Sequence, residues 1–270
     1  MTLAQYWICL KGIVWREGLR FTHQRESFVS ALVRPLVWLF IFAAGFRQVL
    51  GVSIIPPYET YVLYEVFITP GLMAMIQLFN GMQSSLTMVY DRETGGMRTL
   101  LVSPFPRWFL LASKLLAGTA VSILQVYAYL VIAYFWEIET TAFGYVAIIP
   151  ALMLSGLMLG ALGMLISSLV KQLVNFSGVM NFVIFPMFFA SSALYPLWKV
   201  KEASPVLYWV CQFNPFTHAV ELIRFAFYGQ VAWVSLAVVV GCMVVFLVGA
   251  VLAYDPSRGF LARRGGPGAG

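Results

Sequence analysis

The residues able to break or make bonds are few in this chain, and they are scattered. His23 and His218 stand far apart, and each reads as a packing or interfacial residue. Cys9, Cys211 and Cys242 are isolated and odd in number, with no CxxC pair and no histidine at ligand spacing, which argues against a zinc site or a disulfide framework. GxSxG, HExxH and Cys-His arrangements are missing. So is the phosphate-cradling GxxxxGK[ST], and the chain is therefore not expected to be an enzyme or to hydrolyse ATP through such a loop. What remains is chemistry of contact. Uncharged amides (Gln77, Asn80, Gln83, Gln125, Asn175, Asn181) lie inside long apolar runs. Phe182, Phe185 and Phe189 recur at i, i+3 and i+7, on one helical face. A charged segment, Asp91 to Arg107, carries Gly95-Gly96 and Pro104-x-Pro106.

Each group has two readings. The amides either hydrogen-bond between helices or line a polar path. The phenylalanine stripe either faces lipid and packing neighbours or borders that path. Tyr58, Tyr61, Tyr64 and Tyr195 fit an interfacial belt. Gly156, Gly160 and Gly163 fall at helical spacing and predict close helix packing.

The elements that must carry these residues follow from composition. Of 270 residues, 61% are hydrophobic and 10% charged, with a mean hydropathy of +0.85. Soluble domains are about 45–50% apolar and about 25% charged, so the excess has to face lipid. This excludes a soluble enzyme, a disordered chain and a disulfide scaffold, and predicts an all-α polytopic membrane protein. A span needs about 20 mostly apolar residues. Uncharged runs supply five: Val66 to Tyr90, Leu115 to Trp136, Thr140 to Val170, Gln172 to Trp198 and Phe225 to Tyr254. A sixth, Phe28 to Val52, crosses if Arg34 and Arg47 snorkel to opposite interfaces, with Arg34-Pro35 suited to opening the helix.

Residues 1–27 read as an amphipathic interfacial helix, with Leu3, Trp7, Leu10 and Val14 at helical spacing against Lys11, Arg16, Arg20 and Arg25. They are not a cleavable signal peptide. The single domain then comprises this helix, a six-helix region over 28–257 and a flexible tail over 258–270. Trp198 to Gln230 is apolar but interrupted by Pro205 and Asn214-Pro215, which predicts an external re-entrant segment between the fifth and sixth spans, with a helix over Phe216 to Tyr228. With both termini inside, 13 Lys and Arg fall on the cytoplasmic side and 4 outside (Arg47, Lys199, Lys201 and Arg224), the asymmetry of a positive-inside chain. The net charge of +6 is accounted for by that bias, and no basic run with interleaved aromatics points to nucleic acid. Ionisable groups are nearly absent from the spans, which weighs against a self-sufficient, ion-gradient-driven secondary transporter, the leading rival.

Four pieces then resemble one family, the membrane permeases of type-2 ABC exporters. They are Arg34-Pro35 after an amphipathic helix, Pro70-Gly71 within the second span, and Asp91-Arg92-Glu93-Thr94-Gly95-Gly96-Met97-Arg98-Thr99-Leu100-Leu101-Val102-Ser103-Pro104 after it. The fourth is Phe185-Pro186-Met187 through Ala193-Leu194-Tyr195-Pro196-Leu197, followed by Asn214-Pro215 and Arg224. The Gly-Gly-Met-Arg version of the loop is similar to nodulation-factor, polysaccharide and drug exporter permeases. Ser191-Ser192-Ala193 departs from the Ser-Gly pair of many relatives.

The resemblance implies a permease in a bacterial inner membrane that pairs with a second permease chain and two ABC ATP-binding subunits. ATP and magnesium would bind those subunits, and no cofactor this chain. It implies that Asp91, Arg92, Glu93, Gly96, Arg98, Leu100, Leu101 and Pro104 form the coupling helix seated on the ATPase, Glu93 and Arg98 in polar contact and Leu100 and Leu101 as anchors. The cargo would be amphiphilic, glycan-like or drug-like. Its candidate path is Gln77, Asn80, Asn181, Phe182, Phe185, Phe189 and Tyr195.

Overall fold

The computed structural model describes residues 3–23, 25–46, 57–58, 62–94, 105–136, 138, 142–170 and 172–253. Ten helices follow one another among the described residues: α1 (Leu3–His23), α2 (Arg25–Phe46), α3 (Tyr64–Thr94), α4 (Arg107–Tyr134), α5 (Ala142–Leu169), α6 (Leu173–Phe189), α7 (Leu197–Ala203), α8 (Pro205–Phe213), α9 (Pro215–Phe227) and α10 (Trp233–Ala253). Among the described residues, three stretches are long and apolar enough to cross a membrane: Trp108–Tyr134, Phe143–Leu169 and Trp233–Ala253. Leu32–Ile41 and Gly178–Phe189 are shorter apolar helical stretches.

The central pair is α3 and α5, flanked by α2, α4, α9 and α10. Glycine lets their backbones touch. A Cβ on Gly81 would lie 3.0 Å from the Gly160 Cα, and one on Gly163 would lie 2.8 Å from the Gly81 carbonyl oxygen. In lipid no hydrophobic effect drives helices together, so such close backbone approach is a principal source of cohesion. The main apolar core gathers around this pair, with Phe67, Leu72, Met73, Leu152 and Leu159 fully buried.

Several boundaries differ from the sequence expectation. Pro35 does not open a helix: it lies inside α2, which runs continuously from Arg25. The helix that carries the uncharged run Val66 to Tyr90 does not stop with it: α3 continues through Thr94. Charged residues end an apolar run, but they do not end a helix whose backbone bonds are already propagating. Lys114 likewise sits within α4, which starts seven residues earlier at Arg107.

The helix within the uncharged run 172–198 is shorter than that run. Helix α6 has 17 residues and ends at Phe189, three residues past Pro186, and the chain then turns through Ala190 to Pro196. Helix α9 covers Pro215–Phe227, close to the predicted 216–228. A turn at Gly229, whose φ of 71° suits glycine, separates it from α10. The tail over 258–270 lies outside the described residues.

Candidate functional site

Motif pieces that are remote in sequence meet at the turn after α6. Pro70-Gly71 lies inside α3, and a Cβ on Gly71 would come within 2.6 Å of the Ala193 carbonyl oxygen. About two turns away on α3, the Tyr64 hydroxyl donates to the Leu194 carbonyl at 2.6 Å. Ser191 closes the turn on itself, donating to the Phe188 carbonyl at 2.6 Å and accepting from the Ala193 N–H at 3.2 Å. Asn214 serves two helices at once. Its Nδ2 donates to the carbonyls of Met187 (2.7 Å) and Ala190 (2.6 Å) at the end of α6. Its Oδ1 accepts from the Phe216 N–H at 3.0 Å, capping α9.

Arg224 completes this junction from α9, with 3% of its surface exposed. Its Nη2 donates to the Ser192 carbonyl at 2.7 Å. Its Nη1 pairs with Glu221 one turn back, and its guanidinium lies 4.3 Å from the centre of the Phe67 ring. A buried guanidinium is tolerated only with partners of this kind: an anion, a carbonyl and an aromatic face. Tyr58 adjoins it; burial pushes the phenol above its ordinary range, and the Arg224 charge pulls the other way. His218, on the same helix, bridges the Gln212 carbonyl (3.0 Å) and the Ser235 hydroxyl (3.4 Å), a packing role.

A second polar group lies between α3, α4 and α5. Gln77 is 1% exposed and donates to the Leu152 carbonyl at 2.7 Å. Asn80 donates to the Gln125 side chain at 2.7 Å. Gln77 and Asn80, with Ser84, Ser85, Thr119 and Ser122, line a small cavity walled by Gly118, Gly156 and Gly160. No described side chain of α6 borders it. Of the candidate path residues, Gln77 and Asn80 are thus brought together, engaged in interhelical hydrogen bonds.

The others form a separate group. Asn181, Phe182, Phe185 and Phe189 occupy the uncovered face of α6, Phe182 being 79% exposed, and the Phe185 and Phe189 rings stack 6.3 Å apart. Trp38 of α2 meets Phe189 edge-on at 5.7 Å. Tyr195 is half-buried in the turn beyond.

Of the coupling candidates, Asp91, Arg92, Glu93 and Thr94 form the last helical turn of α3. Gly96, Arg98, Leu100, Leu101 and Pro104 lie outside the described residues. Just beyond them, Phe105 and Phe109 at the head of α4 meet Tyr6 of α1 edge-on, at 5.2 and 4.8 Å. Sequence reasoning missed the structural weight of Thr119 and Ser122 in the polar group. Their spacing with Gln125 (i, i+3, i+6) on one face of α4 was the available signal.

Comparison with known proteins follows the same pattern. A family model described as ABC-2 type transporter matches residues 9–228. The chain is 27% identical over 227 residues to "Putative transport permease ycf38" of Cyanophora paradoxa, covering 82% of this chain and 74% of that protein. It is 27% identical over 244 residues to "Nodulation protein J" of Rhizobium leguminosarum bv. viciae, covering 84% and 86%. It is 30% identical over 164 residues to "Probable multidrug ABC transporter permease YbhR" of Escherichia coli (strain K12), covering 60% of this chain and 43% of that protein. The match spans most of α1, the α3 motifs, the turn after α6 and Arg224, and this multi-pass membrane chain belongs to the ABC-2 type transporter family.

Proposed function

We propose that this chain is the membrane permease of an ATP-driven exporter, working as a pair of permease chains on two separate ABC ATP-binding subunits. ATP and magnesium bind those subunits. In this reading six segments span a bacterial inner membrane, with α2 through α6 and α10 as the spans and both termini cytoplasmic. Helix α1 lies at the inner interface, and α7 to α9 form the external re-entrant segment. The cargo is amphiphilic, glycan-like or drug-like.

The observation that carries the reading is the continuity of α3. It runs unbroken for 31 residues from Tyr64, bonded to the turn after α6, to Thr94 inside the charged motif. At 1.5 Å per residue that is a rod of about 46 Å. A displacement at one end of a packed rod reaches the other, the kind of rigid-body transmission that coupling requires. Asp91 begins the segment that seats on the ATPase and runs to Pro104, Glu93 and Arg98 make its polar contacts, and Leu100 and Leu101 anchor it. Asn181, Phe182, Phe185, Phe189 and Tyr195 face the cargo where two copies meet, since aromatic faces and amides let a partly polar amphiphile slide.

Affinity purification of the tagged chain from its own membranes, with mass spectrometry of what accompanies it, tests the assembly. A stoichiometric subunit bearing GxxxxGK[ST] is expected, and it is lost when Glu93 and Arg98 are both changed to alanine. A chain that comes out alone and still transports sinks the proposal. Phe185→Ala and Tyr195→Ala are expected to abolish transport while the complex still assembles and hydrolyses ATP.

A further inference from the structure

The polar group between α3, α4 and α5 has more acceptors than donors. Gln77 is 1% exposed, and its Oε1 has no hydrogen-bond partner among the described residues. Turning the amide round would not cure this. Its Nε2 donates to the Leu152 carbonyl at 2.7 Å, and a carbonyl only accepts, so the amide oxygen has to face elsewhere. A buried amide oxygen without a donor is costly, above all inside a membrane bundle. Gln77 stands 13 residues after Tyr64 on α3, about 20 Å along the helix and farther still from Thr94, so neither end brings it to bulk water.

The neighbouring hydroxyls do not supply the donor. Ser85 Oγ donates to the Gly81 carbonyl at 2.9 Å, and Ser122 Oγ to the Thr119 carbonyl at 2.8 Å. With their single protons spent on the backbone, both have only lone pairs left to offer the cavity they line. What fits such a cavity is a small donor, and its size agrees, with room for about one water molecule. Gln77 and Ser122 are neighbours across Gly156. The Gln77 Nε2 and the Ser122 Oγ lie 3.0 and 3.5 Å from the point where a Cβ on Gly156 would sit.

We propose that this cavity binds a single water molecule as part of the joint between α3, α4 and α5. The water donates one O–H to Gln77 Oε1 and the other to Ser122 Oγ, so that each acceptor gains a donor. A monovalent cation would seek the same oxygens, but no acidic side chain among the described residues lines the cavity to meet its charge. The water serves helix packing, whatever the chain transports.

Cryo-electron microscopy of the full chain in nanodiscs, with the subunits that accompany it and at a resolution that shows ordered water, tests this in sodium chloride and in choline chloride. One density within hydrogen-bonding distance of both Gln77 and Ser122 is expected in each salt. Gln77→Met keeps the bulk but removes the acceptor, and should lose the density. If that variant does not fold, Ser122→Ala takes its place and should weaken the density by removing one of its two partners. Thermal unfolding of the wild-type chain in the two salts at equal ionic strength should give one midpoint. A wild-type map without the density overturns the proposal, as does a density undiminished in the variant. Density seen only in sodium, or a midpoint raised by sodium alone, also overturns it, because the site would then hold a cation.

Discussion

Arg224 and Asn214 hold together parts of the chain that the sequence separates, and they do so through backbone atoms. Arg224→Met strands the Glu221 carboxylate and the Ser192 carbonyl, and should cost about 3 kcal/mol, the lower end for breaking a buried pair. Arg224→Lys should recover only part of this, because an ammonium cannot reproduce the fork or the stacking over Phe67. Thermal unfolding of the detergent-solubilised chain checks both. Asn214→Asp keeps the oxygen that caps α9 but removes both donors to Met187 and Ala190. A carboxylate oxygen then faces two carbonyl oxygens, so the variant should destabilise by about 2 kcal/mol despite the retained cap; equal stability to wild type would mean the α6 carbonyls do not need the amide. The sequence marked Asn214-Pro215 and Arg224 as motif residues but placed Arg224 among the external cations. Its burial was not legible, since its key acceptor is a main-chain carbonyl that any residue could supply.

At the level of elements, the glycines separate those that let helices touch from those that do not. Gly71→Val would drive a branched side chain into the Ala193 backbone, already 2.6 Å from a bare Cβ, and should destabilise by about 3 kcal/mol. Gly12 on α1 meets nothing within 4 Å, so Gly12→Ala should stabilise by about 0.5–1 kcal/mol through helix propensity. Unfolding midpoints of the two variants should move in opposite directions. The close packing predicted from Gly156, Gly160 and Gly163 was legible because residue size and period suffice to state it. Where α6 stops was not. The run to Trp198 stays apolar, and only the hydrogen bonds of Ser191 and Asn214 reveal that the chain leaves the helix at Phe189. Helix α3 erred the other way: charge marks the edge of hydrocarbon, and helices cross that edge freely.

For the whole molecule, hydropathy and charge asymmetry carried most of the reading, since a membrane constrains length, polarity and sidedness together. In a variant lacking Cys9, Cys211 and Cys242, a cysteine placed at Gly270 should resist impermeant maleimide in intact cells and react after permeabilisation. One placed at Glu202, on exposed α7, should react in both. Reversed labelling would invert the topology. The three-dimensional convergence of the motifs was beyond one-dimensional reading, because hydropathy reports depth and not neighbours. That convergence also bears on biogenesis. Helix α6 is about 26 Å long, and two of its last carbonyls are satisfied by a side chain that emerges from the ribosome 24 residues after Ala190. Until Asn214 has been synthesised and α9 has docked, the end of α6 cannot settle against the turn that ties it to α3. Nascent chains arrested before residue 214 should therefore remain open to membrane quality-control proteases, and chains extended past α9 should become resistant.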